Sequence, residues 1–295
     1  MPGAIAQGLI WGIMAIGLFI TYKVLDYSDL TVDGTMATGG AVCIMLMMQG
    51  VNVWIALLCA IIAGMLAGLA TGLFHTAMGI PPILAGILTQ LSLYSINLTI
   101  MLGKANQAVS VTKYDLIVSS RYVKELSVRN PIFITIIVIA VLIGILYWFF
   151  GTELGCSLRA TGANAAMARA QGINTNFCKI LGLMIANGIV ALASAMYSHY
   201  QGFVDVNMGR GAIVIGLAAV IISDVIFGKI FRNFALKLFA VALGAVIYYI
   251  VIQIVLWLGL NTNLLKLLSA LIVALFLAIP YWKGKIRMKG GRKHA

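Results

Sequence analysis

Residues 155–174 read GCSLRATGANAAMARAQGIN, and they lie between two long apolar runs at roughly 131–150 and 179–200. An apolar run of about 18 residues or more is long enough to cross a bilayer. A polar, alanine-rich stretch between two such runs is therefore a segment projecting at a membrane surface. Within it Asn164 is a good helix N-cap, residues 165–171 are strong helix formers, and Gly172 stands where a C′ glycine ends a helix. The expected product is a slim helix of about two turns. Two readings follow. Either the helix fits a groove on a partner protein, with Arg159 and Arg169 pairing with acidic groups there, or it lies along the membrane interface.

The rest of the chain repeats the apolar pattern. Charged residues make up only 9% of the 295, against 62% hydrophobic, whereas an ordinary soluble domain carries about 25% charged residues. Nine apolar spans are expected, at roughly 3–22, 33–50, 53–75, 80–102, 131–150, 179–200, 211–228, 234–258 and 264–281. The chain reads as one all-α, polytopic membrane helix bundle over residues 1–295, with a cytoplasmic loop at 151–178, an external loop at 103–130 and a basic tail at 282–295. The start of the chain has no basic n-region and so reads as a first membrane helix and not a signal peptide.

The net charge of +12 is concentrated where the positive-inside rule puts it. Lys283, Lys285, Arg287, Lys289, Arg292 and Lys293 follow the last span directly. This distribution argues for a cytoplasmic C-terminus and against nucleic-acid binding. Alternation then places the N-terminus outside and the 155–174 segment inside. Loop 103–130 resists, because it falls outside yet carries five Lys and Arg. Either it is an ordered external loop, or a span before it is miscounted at Pro81–Pro82, where a fresh helix or a re-entrant segment could begin.

Two internal patterns bear on packing. Ala60, Gly64, Gly68 and Gly72 recur every four residues, a ladder that admits a close helix neighbour. GLFHTAMG (72–79) and AMYSHYQG (195–202) resemble one another and close spans of opposite direction, the expectation for an inverted repeat.

Chemistry is sparse. No Gly–Lys pair has the flanking residues of a phosphate-binding P-loop, so ATP hydrolysis is not expected of this chain. The four cysteines show no metal-ligand or redox spacing. His75, His199 and His294 have no nucleophile at a fixed spacing. All eight acids fall near span ends or in loops, which disfavours an ion-coupled secondary carrier with a mid-membrane carboxylate. Polar stripes are the candidates for a transport path: Gln90, Tyr94 and Asn97 follow Gly86 on one face of the fourth span, and Asn187 precedes Ser194 by seven residues in the sixth. Such side chains face either a cavity or a neighbouring helix.

The 155–174 segment also resembles the cytoplasmic loop of ATP-binding-cassette importer permeases, and more narrowly that of the branched-chain amino acid and ribose permease family. That family's pattern is Arg-Ala-x-Gly-x-Asn, a small-residue run, then Gly-Ile. Arg159, Ala160, Gly162, Asn164, Ala165, Gly172 and Ile173 match it. DLTVDGTMATGGAV (29–42), GIPPILAGILT (79–89) and NMGRGAIVIGLAAVII (207–222) are similar to further family motifs. The subgroup most like this chain is paired with lipoprotein-type binding proteins, some linked to tryptophan or tyrosine uptake. The resemblance implies a permease in a bacterial cytoplasmic membrane, two copies forming a path for an amino acid, with Arg159, Gly162, Asn164, Ala165, Ala166, Arg169 and Gly172 docking on a separate ATPase that binds ATP and magnesium. One departure is Ser223–Asp224, where the family often has a glycine pair; Asp224 is expected to pair with Lys229 or Arg232.

Overall fold

The computed structural model describes residues 2–109, 114, 116–124, 130–228, 230–231 and 233–258, together with 267, 270–271, 273–275 and 278. The chain runs through α1 (Pro2–Phe19), a π-helical turn (Ile20–Val24), α2 (Thr31–Met48), α3 (Val53–Thr76), α4 (Pro82–Ile100), β1 (Asn106–Ala108) and a 3₁₀ turn (Ser120–Lys124). It continues through α5 (Pro131–Gly151), α6 (Glu153–Ala163), α7 (Ala165–Ala170), α8 (Thr175–Gln201), β2 (Phe203–Asp205), α9 (Ala212–Phe227) and α10 (Phe234–Trp257). Seven of these helical segments are long and apolar enough to cross a membrane, and α9 is an apolar helix of 16 residues. Eight expected spans are thus present as helices. The ninth, at 264–281, and the basic tail lie largely or wholly outside the described residues, as do Lys113, Glu125, Arg129, Lys229 and Arg232.

Local chemistry sets the helix starts. Asn52 and Asn130 accept the Trp54 and Ile132 amides at 3.0 and 2.9 Å, opening α3 and α5. Pro82 opens α4 after Gly79 turns the chain with φ +68°, so Pro81–Pro82 begin a fresh helix and no span is miscounted there. Loop 103–130 carries ordered structure: β1 pairs antiparallel with β2, Asn106 opposite Asp205, and Val118 and Val123 are buried.

The glycine ladder of α3 is a packing surface. A methyl group at Gly64 or Gly68 would collide with the carbonyl of Asn187 or Leu183, so the backbones of α3 and α8 touch. Gly8 and Gly12 of α1 meet Val246 and Ala242 of α10 in the same manner.

An inverted repeat is present, with a different pairing from the one the two histidine segments suggest. Helix α1 runs antiparallel to α8, with Gly3 beside Tyr200 and Gly17 beside Ala186. Helix α2 lies parallel to α8, through Thr35–Asn187 and Cys43–His199. Helix α9 lies parallel to α1, with Gly216 against Met14 and Leu18 and Asp224 against Lys23 just beyond α1. Exchanging α1, α2, α3 for α8, α9, α10 maps α1–α8 onto itself and α2–α8, α3–α8 and α2–α3 onto α9–α1, α10–α1 and α9–α10. The repeat therefore relates α3 to α10. GLFHTAMG and AMYSHYQG end two adjacent helices of opposite repeats that are not equivalents.

Candidate functional site: a cleft where two helices begin inside the bundle

Helices α2 and α9 start from the same level. Asp33, the third residue of α2, accepts the Gly211 amide on Oδ2 and the Ile213 amide on Oδ1, both at 3.0 Å. From there the two helices run in opposite directions, for about 27 and 24 Å at the α-helical rise of 1.5 Å per residue. Thr35, near the start of α2, bonds to Asn187 close to the midpoint of α8 (Thr175–Gln201), so the shared starting level lies near the middle of a spanning helix. Broken helices whose N-termini meet at mid-depth place amide donors and partial positive charge inside a membrane protein.

Two carboxylates answer that charge. Asp29, 1% exposed, accepts the Thr31 amide at 2.9 Å and the Asn187 Nδ2 at 2.7 Å. Asp33 caps α9. The acids do flank a span end, as the sequence indicates, but that end lies inside the bundle. The expectation of a membrane interior without carboxylates is thereby corrected. Both groups are engaged by helix starts.

A cleft of about 350 Å³ opens beside this junction, lined by Asp33, Gln90, Tyr94, Asn97, Val206 and Arg210 among others. The α4 stripe is thus gathered on one cavity. Asn97 is fully buried. Its Nδ2 lies 3.5 Å from the Gly34 carbonyl, and its Oδ1 has no hydrogen-bond partner among the described residues. Asn187 is placed elsewhere. It bridges Asp29 to Thr35, whose hydroxyl donates to Asn187 Oδ1 at 2.7 Å, and it holds α8 to the start of α2. Ser194 likewise serves α2, accepting the Gly40 amide at 2.9 Å. Arg210 and Asp33 were not among the sequence candidates for the path. Their signals were the family-like motifs NMGRG for Arg210 and DLTVDGTMATGGAV for Asp33, read there as a resemblance and not as a site.

On the opposite side from the strands sits the projecting segment. Asn164 Oδ1 accepts the Ala166 and Met167 amides at 3.1 and 3.0 Å, and Gly172 takes φ +81°, the left-handed conformation that ends the helix. Ala166, Met167 and Arg169 are exposed. A second helix, α6, precedes this one. Thr152 caps it, and Leu158 is fully buried. Gly162 presses on the backbone of Val24 and Leu25 so closely that no side chain fits. Its place is packing against the end of α1. Arg159 folds back, donating to the Phe150 carbonyl at 2.8 Å with its guanidinium 5.9 Å from the centroid of the Phe234 ring.

Further polar contacts tie the elements together. Asp224 pairs with Lys23 of the π-helical turn at 2.6 Å, while its expected partners Lys229 and Arg232 lie outside the described residues. The Lys179 ammonium lies 3.1 Å from His75 Nε2, while His75 Nδ1 lies 2.8 Å from the Ile80 carbonyl. His199 Nε2 contacts Cys43 Sγ at 3.3 Å inside the bundle. These histidines join helices.

An inverted pair of broken helices, a polar cleft at their junction and a capped helix projecting from one side define a membrane permease. Comparison with known proteins narrows this. A profile of the family described as "Branched-chain amino acid transport system / permease component" matches residues 2–280, and the chain belongs to that family, the permease components of ABC importers. It is 38% identical over 272 residues to the tyrosine transport system permease protein of Clostridioides difficile, covering 92% of this chain and 88% of the relative. An uncharacterized Rickettsia prowazekii protein is 34% identical over 278 residues, 93% and 95% of the two chains. The ribose import permease of Escherichia coli is 25% identical over 210 residues, 71% and 64%. No solved structure matches.

Proposed function

We propose that this chain forms the translocation path of an ATP-driven amino acid importer, with an aromatic amino acid as its cargo. The similarity to a tyrosine permease along nearly the whole chain carries the substrate class, and the cleft between α4 and the α2–α9 junction gives it a place. Two copies form the path. A separate ATPase, holding ATP and magnesium, docks on α7, and an external lipoprotein delivers the substrate at the strand side. The chain itself breaks no bond. It sits in a bacterial cytoplasmic membrane with α7 and the C-terminus inside and Pro2 outside.

The observation that carries the coupling role is α7 itself: six residues capped at both ends with Ala166, Met167 and Arg169 exposed. With Ala168 buried and the opposite face exposed, it presents the surface that a docking helix needs and that a buried connector would not show. An ion-coupled carrier finds no support in the family. Asp29 and Asp33, the acids such a mechanism would recruit, are occupied by helix starts. Uptake of radiolabelled L-tyrosine, L-tryptophan and L-leucine by cells expressing the complete system tests the reading. Depleting ATP while the ion gradients are held is expected to abolish uptake. Uptake that continues under those conditions refutes an ATP-driven importer.

A further inference from the structure

Arg210 lines the cleft and is exposed. Among the described residues Lys23–Asp224 is the one ion pair, so no described carboxylate lies within ion-pair distance of the guanidinium. Asp33, on the same cleft, spends both oxygens on the amides of Gly211 and Ile213. The α9 start adds partial positive charge at that level. The guanidinium donors thus have no partner among the described residues, on a cleft that also carries the Asp33 carboxylate. Its wall also holds the buried Asn97, with Oδ1 unpartnered, and the half-exposed ring of Tyr94. A planar guanidinium with several donors matches a carboxylate through two parallel hydrogen bonds. An amide oxygen without a partner accepts from an ammonium or an N–H.

We infer that Arg210 is the specificity-determining residue of the path, holding the carboxylate of the passing substrate, with Asn97 accepting from its amino group and Tyr94 flanking its side chain. This deepens the proposed function and rests on it. The consequence is selection by charge: a substrate carrying a carboxylate is stabilised in the cleft, and a neutral sugar of similar size gains nothing from Arg210.

The test uses the whole complex: this chain with the ATPase and the binding protein that co-purify with it, in proteoliposomes supplied with ATP. L-tyrosine, L-tryptophan, L-leucine and D-ribose are each offered to wild type, Arg210→Gln and Arg210→Lys. ATPase stimulation by the loaded binding protein is recorded alongside. The expected result is a loss of amino acid transport of tenfold or more in Arg210→Gln, partial retention in Arg210→Lys, and ATPase stimulation within twofold of wild type in both. Amino acid transport within twofold of wild type in Arg210→Gln overturns the inference while leaving the importer reading intact. Loss of ATPase stimulation together with transport in both variants also overturns it, because Arg210 then serves the fold or the subunit contact. A wild type that carries ribose and none of the amino acids overturns both the inference and the reading beneath it.

Discussion

Asp33 belongs to α2 by sequence and to α9 by hydrogen bonding. Its carboxylate takes the place of a side-chain cap that Gly211, the residue before α9, cannot supply. Removing an N-cap acceptor costs about 0.5–2 kcal/mol, and here it also leaves amides unanswered away from water. Asp33→Ala is expected to lower the unfolding temperature of the detergent-purified protein by several degrees. Asp33→Asn, which keeps one acceptor oxygen, should lower it less. Equal unfolding temperatures for wild type and Asp33→Ala would show that α9 does not depend on this cap. The chain order of the acids is plain in the sequence, whereas their depth is not. Hydrophobic periodicity marks where a span begins along the chain and says nothing about the level in the bundle at which it begins. Gln90, Tyr94 and Asn97 were legible because one helix face carries them. Arg210 was not, because the backbone descends to it through the irregular segment 206–211, which has no period to follow.

Helix α7 shows how far local rules reach. Asn164, the alanines and Gly172 encode a complete helix with both ends marked, and it forms within those bounds. Helix α6 escaped the same rules. Gly155, Thr161 and Gly162 are weak helix formers, and the helix is held by packing: Leu158 buried and Gly162 seated on the end of α1. The pair therefore divides the work, α6 anchoring and α7 exposed. Ala166→Trp or Arg169→Glu on α7 is expected to leave the unfolding temperature unchanged while cutting ATP-dependent uptake at least tenfold. Normal uptake in both variants would mean that α7 is not the coupling element. Gly162 should not behave in this way, since any side chain there displaces α6 and disturbs folding and coupling together.

Across the whole molecule, the contacts form a line from the projecting segment to the cleft. Helix α6 rests on Val24 at the π-helical end of α1, the preceding Lys23 pairs with Asp224 near the end of α9, and the start of α9 borders Arg210 and Asp33. A π-helical turn is a frequent site of functional adjustment in helices, and here it lies between α6 and α9. The nature of the chain was legible from composition, and eight of the nine expected spans from the apolar runs, the ninth lying largely outside the described residues. The correct repeat was not. The two halves share backbone proximity instead of residues: glycines sit on α3 where it meets α8, whereas in the equivalent pair they sit on α1 and alanines on α10. Close packing constrains volume at a contact and not which partner supplies the small residue.

The central claim is that a separate ATPase drives this permease through α7. A single cysteine at Met167, 64% exposed, in a chain whose four free cysteines are replaced, allows site-directed cross-linking in native membranes. A control cysteine at Phe133, 53% exposed on α5, reports capture unrelated to α7. The expected result is a cross-linked product from Met167→Cys that contains a Walker-motif ATPase, and none from Phe133→Cys. An ATPase captured equally from both positions, or from neither while ATP-dependent uptake persists, would contradict the claim.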